Sequence, residues 1–221
     1  MLRSVWVSGT AFGQSSVTIK NFKMEDDPEI TIRTPRLSDV QYVYPILQEM
    51  ERSARERGTG IARRSPQSLC QKIYEGKAVI AMTADGQWAG FSYIQSWSEG
   101  AFVSNSGLIV NPRYRHAGVA KGIKRKIMEL SERLYPGATL FSITTGAAVL
   151  SLNHKMGFEP VTYEAITKDP AFWDQCRACV NYPVLESKER KMCLCTAMVR
   201  YPNGGRAGVG RKREVLAGVG S

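Results

Sequence analysis

The chain has 221 residues, 43% of them hydrophobic and 23% charged, with a formal net charge of +10. That length supports one sizeable core and only marginally two. No apolar run approaches the roughly 20 residues needed to cross a bilayer, which excludes a membrane-spanning class and predicts a soluble or peripheral protein.

The positive balance favours anionic partners, whether nucleic acid, a membrane surface or a polyphosphate ligand. Part of it lies in the tail, where Arg206, Arg211, Lys212 and Arg213 face only Glu214. Residues 1–23 are basic and lack acids, faintly like a transit peptide, and Met24 then opens an acidic run. Residues 1–28 are therefore set aside as a flexible extension, with residues 29–167 as the core, 168–201 as a Cys-rich segment completing the sheet, and 202–221 as a disordered Gly-rich basic tail.

Residues 30–34 alternate and predict a strand. Residues 39–55 predict a helix with Ser38 as N-cap. The loop that follows, Arg57-Gly58-Thr59-Gly60-Ile61-Ala62-Arg63-Arg64, precedes Ser65-Pro66, which reads as a cap and first turn of a second helix. Residues 77–83 and 88–97 are apolar β-prone runs joined by Asp85-Gly86, a hairpin signal. Residues 102–110 form another strand, broken by Asn111-Pro112.

A helix is predicted from about Gly118 to Leu134. Val119, Ile123, Ile127, Leu130 and Leu134 form its apolar face, and Lys121, Lys124, Arg125 and Lys126 lie mostly off it. Residues 139–144 are a strand, 149–156 a short helix closed by Gly157, and 158–166 and 192–201 the last strand candidates. Strands with interspersed helices predict an α/β chain of the α+β type, a mixed central sheet flanked by helices with a Cys-rich C-terminal extension.

The segment with most chemistry runs from Gly107 to Ala120. A strand ends, the chain turns, and a helix opens on small residues at Ala117, Gly118 and Ala120. Backbone N–H groups at a helix start are unpaired and carry partial positive charge, so a pyrophosphate can accept from several of them if no side chain obstructs it. Arg115 and His116 add donors.

Arg115-X-X-Gly118-X-Ala120 resembles the Arg/Gln-X-X-Gly-X-Gly/Ala signature of the GCN5-related N-acetyltransferase (GNAT) superfamily, with strand, turn and helix in that family's order across residues 30–166. The overall likeness is to bacterial amino-acid N-acyltransferases. The resemblance implies an acetyl-CoA or other acyl-CoA donor held by Leu108, Ile109, Val110, Arg115, His116, Ala117, Gly118, Val119 and Ala120. Pantetheine would pair with residues 108–110 like an added strand, in a cleft where that strand splays from residues 139–144. Many members place a tyrosine four residues before the glycine of a Gly-Phe pair as acid to the leaving thiolate. Here the pair is Gly157-Phe158 and the position holds Asn153, which can donate a hydrogen bond to sulfur but cannot protonate it. Either Asn153 stabilises the thiolate, another donor serves, or the thiolate leaves unassisted.

Direct attack of an amine on the thioester needs a base within reach. The family's strand glutamate has no counterpart in residues 102–110; Glu99 is the nearest acid, and a water held by backbone carbonyls, Tyr93 or Thr144 is the alternative. A backbone N–H at Val110 or Ile109 would meet the oxyanion. Arg57, Thr59, Arg63 and Arg64, among glycines, suit a carboxylate, which predicts an amino-acid acceptor such as glutamate. Rival readings are a protein lysine or N-terminal acetyltransferase, and a zinc-stabilised nucleic-acid or protein-binding module on the same scaffold. The partners expected are a small-molecule amine and a second copy of the chain, with neither membrane nor nucleic acid. The location expected is cytoplasmic, or organellar if residues 1–23 are a transit peptide.

Cys70 reads as a buried structural thiol. Cys176-X-X-Cys179 and Cys193-X-Cys195 are two close pairs that can supply a closed tetrahedral zinc site, with Cys193 and Cys195 on one face if residues 192–196 are a strand. Unligated thiols and a redox pair are the alternatives.

Overall fold

The computed structural model describes residues 17–19, 29–58 and 63–202. The chain runs through β1 (Val17–Ile19), β2 (Ile30–Arg33), α1 (Val43–Glu56), α2 (Pro66–Tyr74), β3 (Ala78–Thr83), β4 (Trp88–Trp97) and β5 (Phe102–Val110). It continues through α3 (Val119–Leu134), β6 (Thr139–Thr144), α4 (Ala147–Lys155), β7 (Glu159–Val161), α5 (Pro170–Gln175), α6 (Tyr182–Ser187) and β8 (Thr196–Arg200). Among the described residues eight strands form one mixed sheet in the order β1-β2-β3-β4-β5-β6-β8-β7. Only β5 and β6 pair in parallel among the described residues, as a strand–helix–strand crossover through α3 requires.

Each face of the sheet carries its own helices. On one, Ile123, Ile127 and Leu130 of α3 pack with Val79, Ile94, Val103, Leu140 and Phe158. On the other, Ile46 and Met50 of α1 and Leu69 and Ile73 of α2 cover Ile80, Phe91, Tyr93 and Ile109. β3 is therefore buried at every position, the mark of a central strand covered on both sides. Farther along that second face, Phe141, Ala197 and Val199 meet Trp97, Tyr163, Trp173 and Leu185.

Several expectations are corrected. Val17–Ile19, set aside with the extension, pairs antiparallel with β2; the rest of residues 1–28, and residues 203–221, lie outside the described residues. The first helix opens differently. Leu37–Tyr42 is a 3-10 helix capped by Arg36, whose N–H donates to Asp39 Oδ2 at 2.6 Å, and Ser38 is not the cap. The α-helix starts only at Val43, which places Pro45 and its missing N–H in the first turn, where no donor is needed. Residues 158–166 form a strand only over Glu159–Val161, then a 3-10 turn at Tyr163–Ala165. Pro160 cannot donate to a second neighbour, so this strand is confined to the sheet edge. Two short helices, α5 and α6, occupy the segment expected merely to complete the sheet. Lys124, expected off the apolar face, is only 3% exposed. It lies one turn from Ala120 and two turns from Ser131, which itself is fully buried.

Candidate active site

The pairing between β5 and β6 stops early. Phe102, Val103 and Ser104 pair with Thr139, Leu140 and Phe141, and from Asn105 onward β5 has no partner on that side among the described residues. Beyond Phe141, β6 pairs on its other side with β8. A bulge in β5 accompanies the divergence. Tyr93 faces Ser106 and Phe91 faces Ile109, so Gly107 and Leu108 oppose a single residue of β4. Gly107 sits at φ 64°, and a Cβ there would lie 2.5 Å from Tyr93 Cε1 and 3.1 Å from Met50 Cε. Only glycine fits both the dihedral and the space. Leu108, Ile109 and Val110 follow with their outer backbone edge turned to the opening.

The turn after β5 is fixed by its own side chains. Asn111 Oδ1 accepts from the Arg113 N–H at 3.2 Å, and Asn111 Nδ2 donates to the Trp88 carbonyl at 3.1 Å. Tyr114 is buried, whereas His116 and Gly118 both take left-handed backbone angles, φ 70° and 78°. Gly118 is the N-cap of α3. No atom of the described residues lies within 4 Å of where its Cβ would be, so the approach to the first-turn N–H groups of Val119 and Ala120 is open on that side. Ala117 is half-buried and packs against the core below.

Arg115 is engaged with α1. Its Nη2 donates to Glu49 Oε1 at 2.8 Å and to Ser53 Oγ at 2.9 Å on α1. Glu49, whose side chain is 8% exposed, also accepts from Arg52 and from Ser53. The arginine thus ties the turn to α1, and Glu49 and Ser53 are site residues that the sequence reading missed. The signal was there, since Ile46, Glu49 and Ser53 recur at helical spacing along the buried edge of α1.

On the α1 and α2 side of the opening, Tyr93 lies against Gly107 and its hydroxyl accepts from Arg64 Nε. The Arg64 guanidinium carbon is 5.7 Å from the Tyr93 ring centroid. Arg63 is exposed, Arg57 caps α1 from solvent, and Thr59 lies outside the described residues. Of the described members of this set, Arg64 is the one brought beside Tyr93. Thr144 is engaged locally, its Oγ1 accepting from the Gly146 N–H at 3.1 Å. Glu99 occupies an exposed left-handed position ahead of β5. The seven residue steps of strand from Phe102 to Ile109, about 23 Å at strand rise, separate the far end of β5 from the end that Glu99 precedes.

On the α3 and α4 side, Asn105 Oδ1 accepts from Lys124 Nζ at 3.0 Å, and Asn105 Nδ2 donates to Ser131 Oγ at 3.1 Å. Lys124 Nζ lies 4.2 Å from the Phe158 ring centroid. Burial pushes its ammonium down from 10.5 to about 7. Asn153 is fully buried, and neither Oδ1 nor Nδ2 has a hydrogen-bond partner among the described residues. Unpaired buried amides are costly.

Zinc at the four C-terminal cysteines finds no support among the described residues. None is in a disulfide. No group of three or more His, Cys, Asp or Glu side chains among the described residues is placed to hold a metal ion. Cys193 and Cys195 precede β8 in irregular chain rather than sharing a strand face, and Cys176 and Cys179 span a 3-10 turn. Burial pushes the Cys176 thiol up to about 11 and the Cys195 thiol up to about 12, with the neighbouring thiols adding to both. Cys70 is half-buried against the α1 and α2 core. No described helix is long and apolar enough to cross a membrane.

No protein-family model and no curated protein matches this sequence. Solved structures do. N-acetylglutamate synthase from Neisseria gonorrhoeae, complexed with coenzyme A and N-acetyl-glutamate, superposes with a TM-score of 0.56 at 18% identity, over 80% of this chain and 36% of that one. The chain therefore spans little more than a third of that synthase. A Mycobacterium tuberculosis protein in complex with CoA gives 0.56 at 17% identity, over 77% of this chain and 98% of that one. A GNAT-superfamily phosphinothricin acetyltransferase from Sinorhizobium meliloti, with AcCoA, gives 0.53 at 15% identity, over 83% and 94%. Divergent central strands, a bulged β5, a left-handed turn and the helix behind it give this chain the fold of the GCN5-related N-acetyltransferases.

Proposed function

We propose that the chain is an acyl-CoA-dependent N-acyltransferase that moves an acetyl or other short acyl group to the primary amine of a small carboxylated acceptor such as glutamate. The observation that carries this reading is the divergence of β5 from β6 immediately beside an open helix start. There the N–H groups of Gly118, Val119 and Ala120 donate to the pyrophosphate, and the free edge of residues 108–110 pairs with pantetheine as an added strand.

The acceptor enters from the α1 and α2 side. Arg64, steadied by Tyr93, offers its fork to a carboxylate. An α-amino group, with a pKa near ~8, arrives neutral often enough to need only a water as base. Attack places charge on the thioester oxygen, which a backbone N–H of Ile109 or Val110 meets. Asn153 Nδ2 supplies a hydrogen bond to the departing sulfur, which gives its buried amide the partner it lacks. The coenzyme A and N-acetyl-glutamate bound to the Neisseria protein are of the same two chemical classes.

Calorimetric titration with acetyl-CoA, followed by an amino-acid panel with acetyl-CoA and succinyl-CoA read by thiol release, tests the reading. Binding, and turnover with a dicarboxylic amino acid, are expected. Absence of acyl-CoA binding would overturn it.

A further inference from the structure

Lys124 has no place in the chemistry above, yet it occupies the apex of the divergence. Its partner Asn105 is the first residue of β5 beyond the last β5–β6 pair. Its other neighbour, the Phe158 ring, follows the end of α4, and the Phe158 N–H donates to the carbonyl of Asn153 at 3.1 Å. Lys124 therefore sits where β5 leaves β6, on the face opposite Arg64 and Tyr93, with the end of the helix that carries Asn153 beside it through Phe158.

An ammonium has three donors. One of those on Lys124 goes to Asn105 and one side of the group faces the aromatic ring, which leaves a donor for a further acceptor. Among the described residues Lys124 makes no ion pair, and the groups facing it, Asn105 from β5, Ser131 along α3 and Phe158 after α4, are not titratable. A buried cation without a carboxylate is an expensive thing to retain for packing alone.

We propose that Lys124 is the acid that protonates the departing thiolate, acting from α3 where Asn153 can only donate a hydrogen bond from α4. The inference rests on the acyltransferase reading. When the tetrahedral intermediate collapses, the C–S bond breaks and its electron pair passes to sulfur. The proton on Nζ forms the S–H bond and leaves Lys124 neutral. The surplus proton of the attacking amine passes to water, and Lys124 recovers a proton from solvent once the products depart. An ammonium held near 7 by burial gives its proton readily to a thiolate whose thiol has a pKa of ~8.5.

The test uses the full chain with lysine side chains isotopically labelled, and Lys124→Met to assign the resonance. The Lys124 titration is followed by NMR alone, with CoA, and with desulfo-CoA, which lacks only the sulfur. An upward shift of the midpoint with CoA, absent with desulfo-CoA, is expected. In turnover, Lys124→Met should lower kcat by about 100-fold, the low end for a general acid, with KM for acetyl-CoA within about twofold. The fall of kcat as pH rises through about 7 should vanish in the variant; a purely structural lysine would leave that limb in place. Equal shifts with both ligands, no shift with either, or an unchanged kcat would overturn the assignment. Failure of CoA to bind the wild-type chain is a separate outcome, and it overturns the acyltransferase reading with it.

Discussion

Replacing Lys124 by methionine keeps the length of the stem and removes a buried ammonium, so its effect on stability can be worked out from linkage. In the unfolded chain the lysine titrates near its ordinary 10.5; in the fold, burial holds it near 7. Between those values the unfolded chain binds the extra proton, so stability rises with pH. The folded state carries the whole penalty below about 7 and none above about 10.5. At about 1.36 kcal/mol per pH unit the full span is roughly 5 kcal/mol. Losing the lysine also leaves Asn105 Oδ1 without its donor, which costs about 1–3 kcal/mol. The variant should therefore be more stable than wild type by about 2–4 kcal/mol at pH 6.5. The advantage should shrink steadily toward pH 10.5. Urea denaturation of both proteins at four pH values measures it. The raised thiols of Cys176 and Cys195 weaken both proteins as pH climbs above about 9, so the difference between them isolates the lysine. A gap independent of pH, or a wild type that is the more stable at pH 6.5, would refute the reasoning.

Glu49→Ala strips three hydrogen-bonded groups of their shared acceptor, and Arg52 and Arg115 are partly exposed, so a loss of about 2 kcal/mol in urea denaturation is expected. The same variant should weaken CoA binding several-fold by calorimetry, because Arg115 no longer ties the turn to α1. Gly118→Val meets no protein atom, yet it must adopt φ 78°. A stability loss of about 1–2 kcal/mol is expected, with CoA affinity falling at least tenfold; unchanged affinity would refute the open-cradle geometry. Gly107→Ala drives a methyl into the Tyr93 ring at a left-handed position. A drop of more than about 2 kcal/mol by thermal denaturation is expected, and an unchanged midpoint would mean that β5 is not bulged there.

Much of this arrangement was legible from local patterns. The strand at Phe102–Val110, the turn, and the helix behind it follow from an alternating run, Asn111-Pro112 and a glycine before a 3.6-residue period. What stayed hidden depends on chain segments far apart in sequence. Lys124 looks like a surface lysine until Asn105 and Phe158 are brought against it. Arg115 looks like a ligand donor until Glu49, 66 residues earlier, claims it. Glu99 looked close to the chemistry because sequence proximity to a strand says nothing about which end of it faces the site. The α5 helix did carry a local signal, since Asp169 caps it and Pro170 opens it, but its hold on the sheet comes from Phe172 set edge-on between Trp97 and Phe141.

The sheet's order has a consequence for how the chain reaches its final form during synthesis. β8 lies between β6 and β7, and it is the strand that β7 pairs with. While residues 196–200 are still inside the ribosome, β6 offers an open edge on that side and β7 has nothing to join. Phe141 and Val161 then wait without Val199 and Ala197 to close over them. A nascent chain can assemble β2 to β6 with α3 early. The wall beside β6 forms last, so the cleft it borders acquires its final width only after the β8 strand has threaded into place.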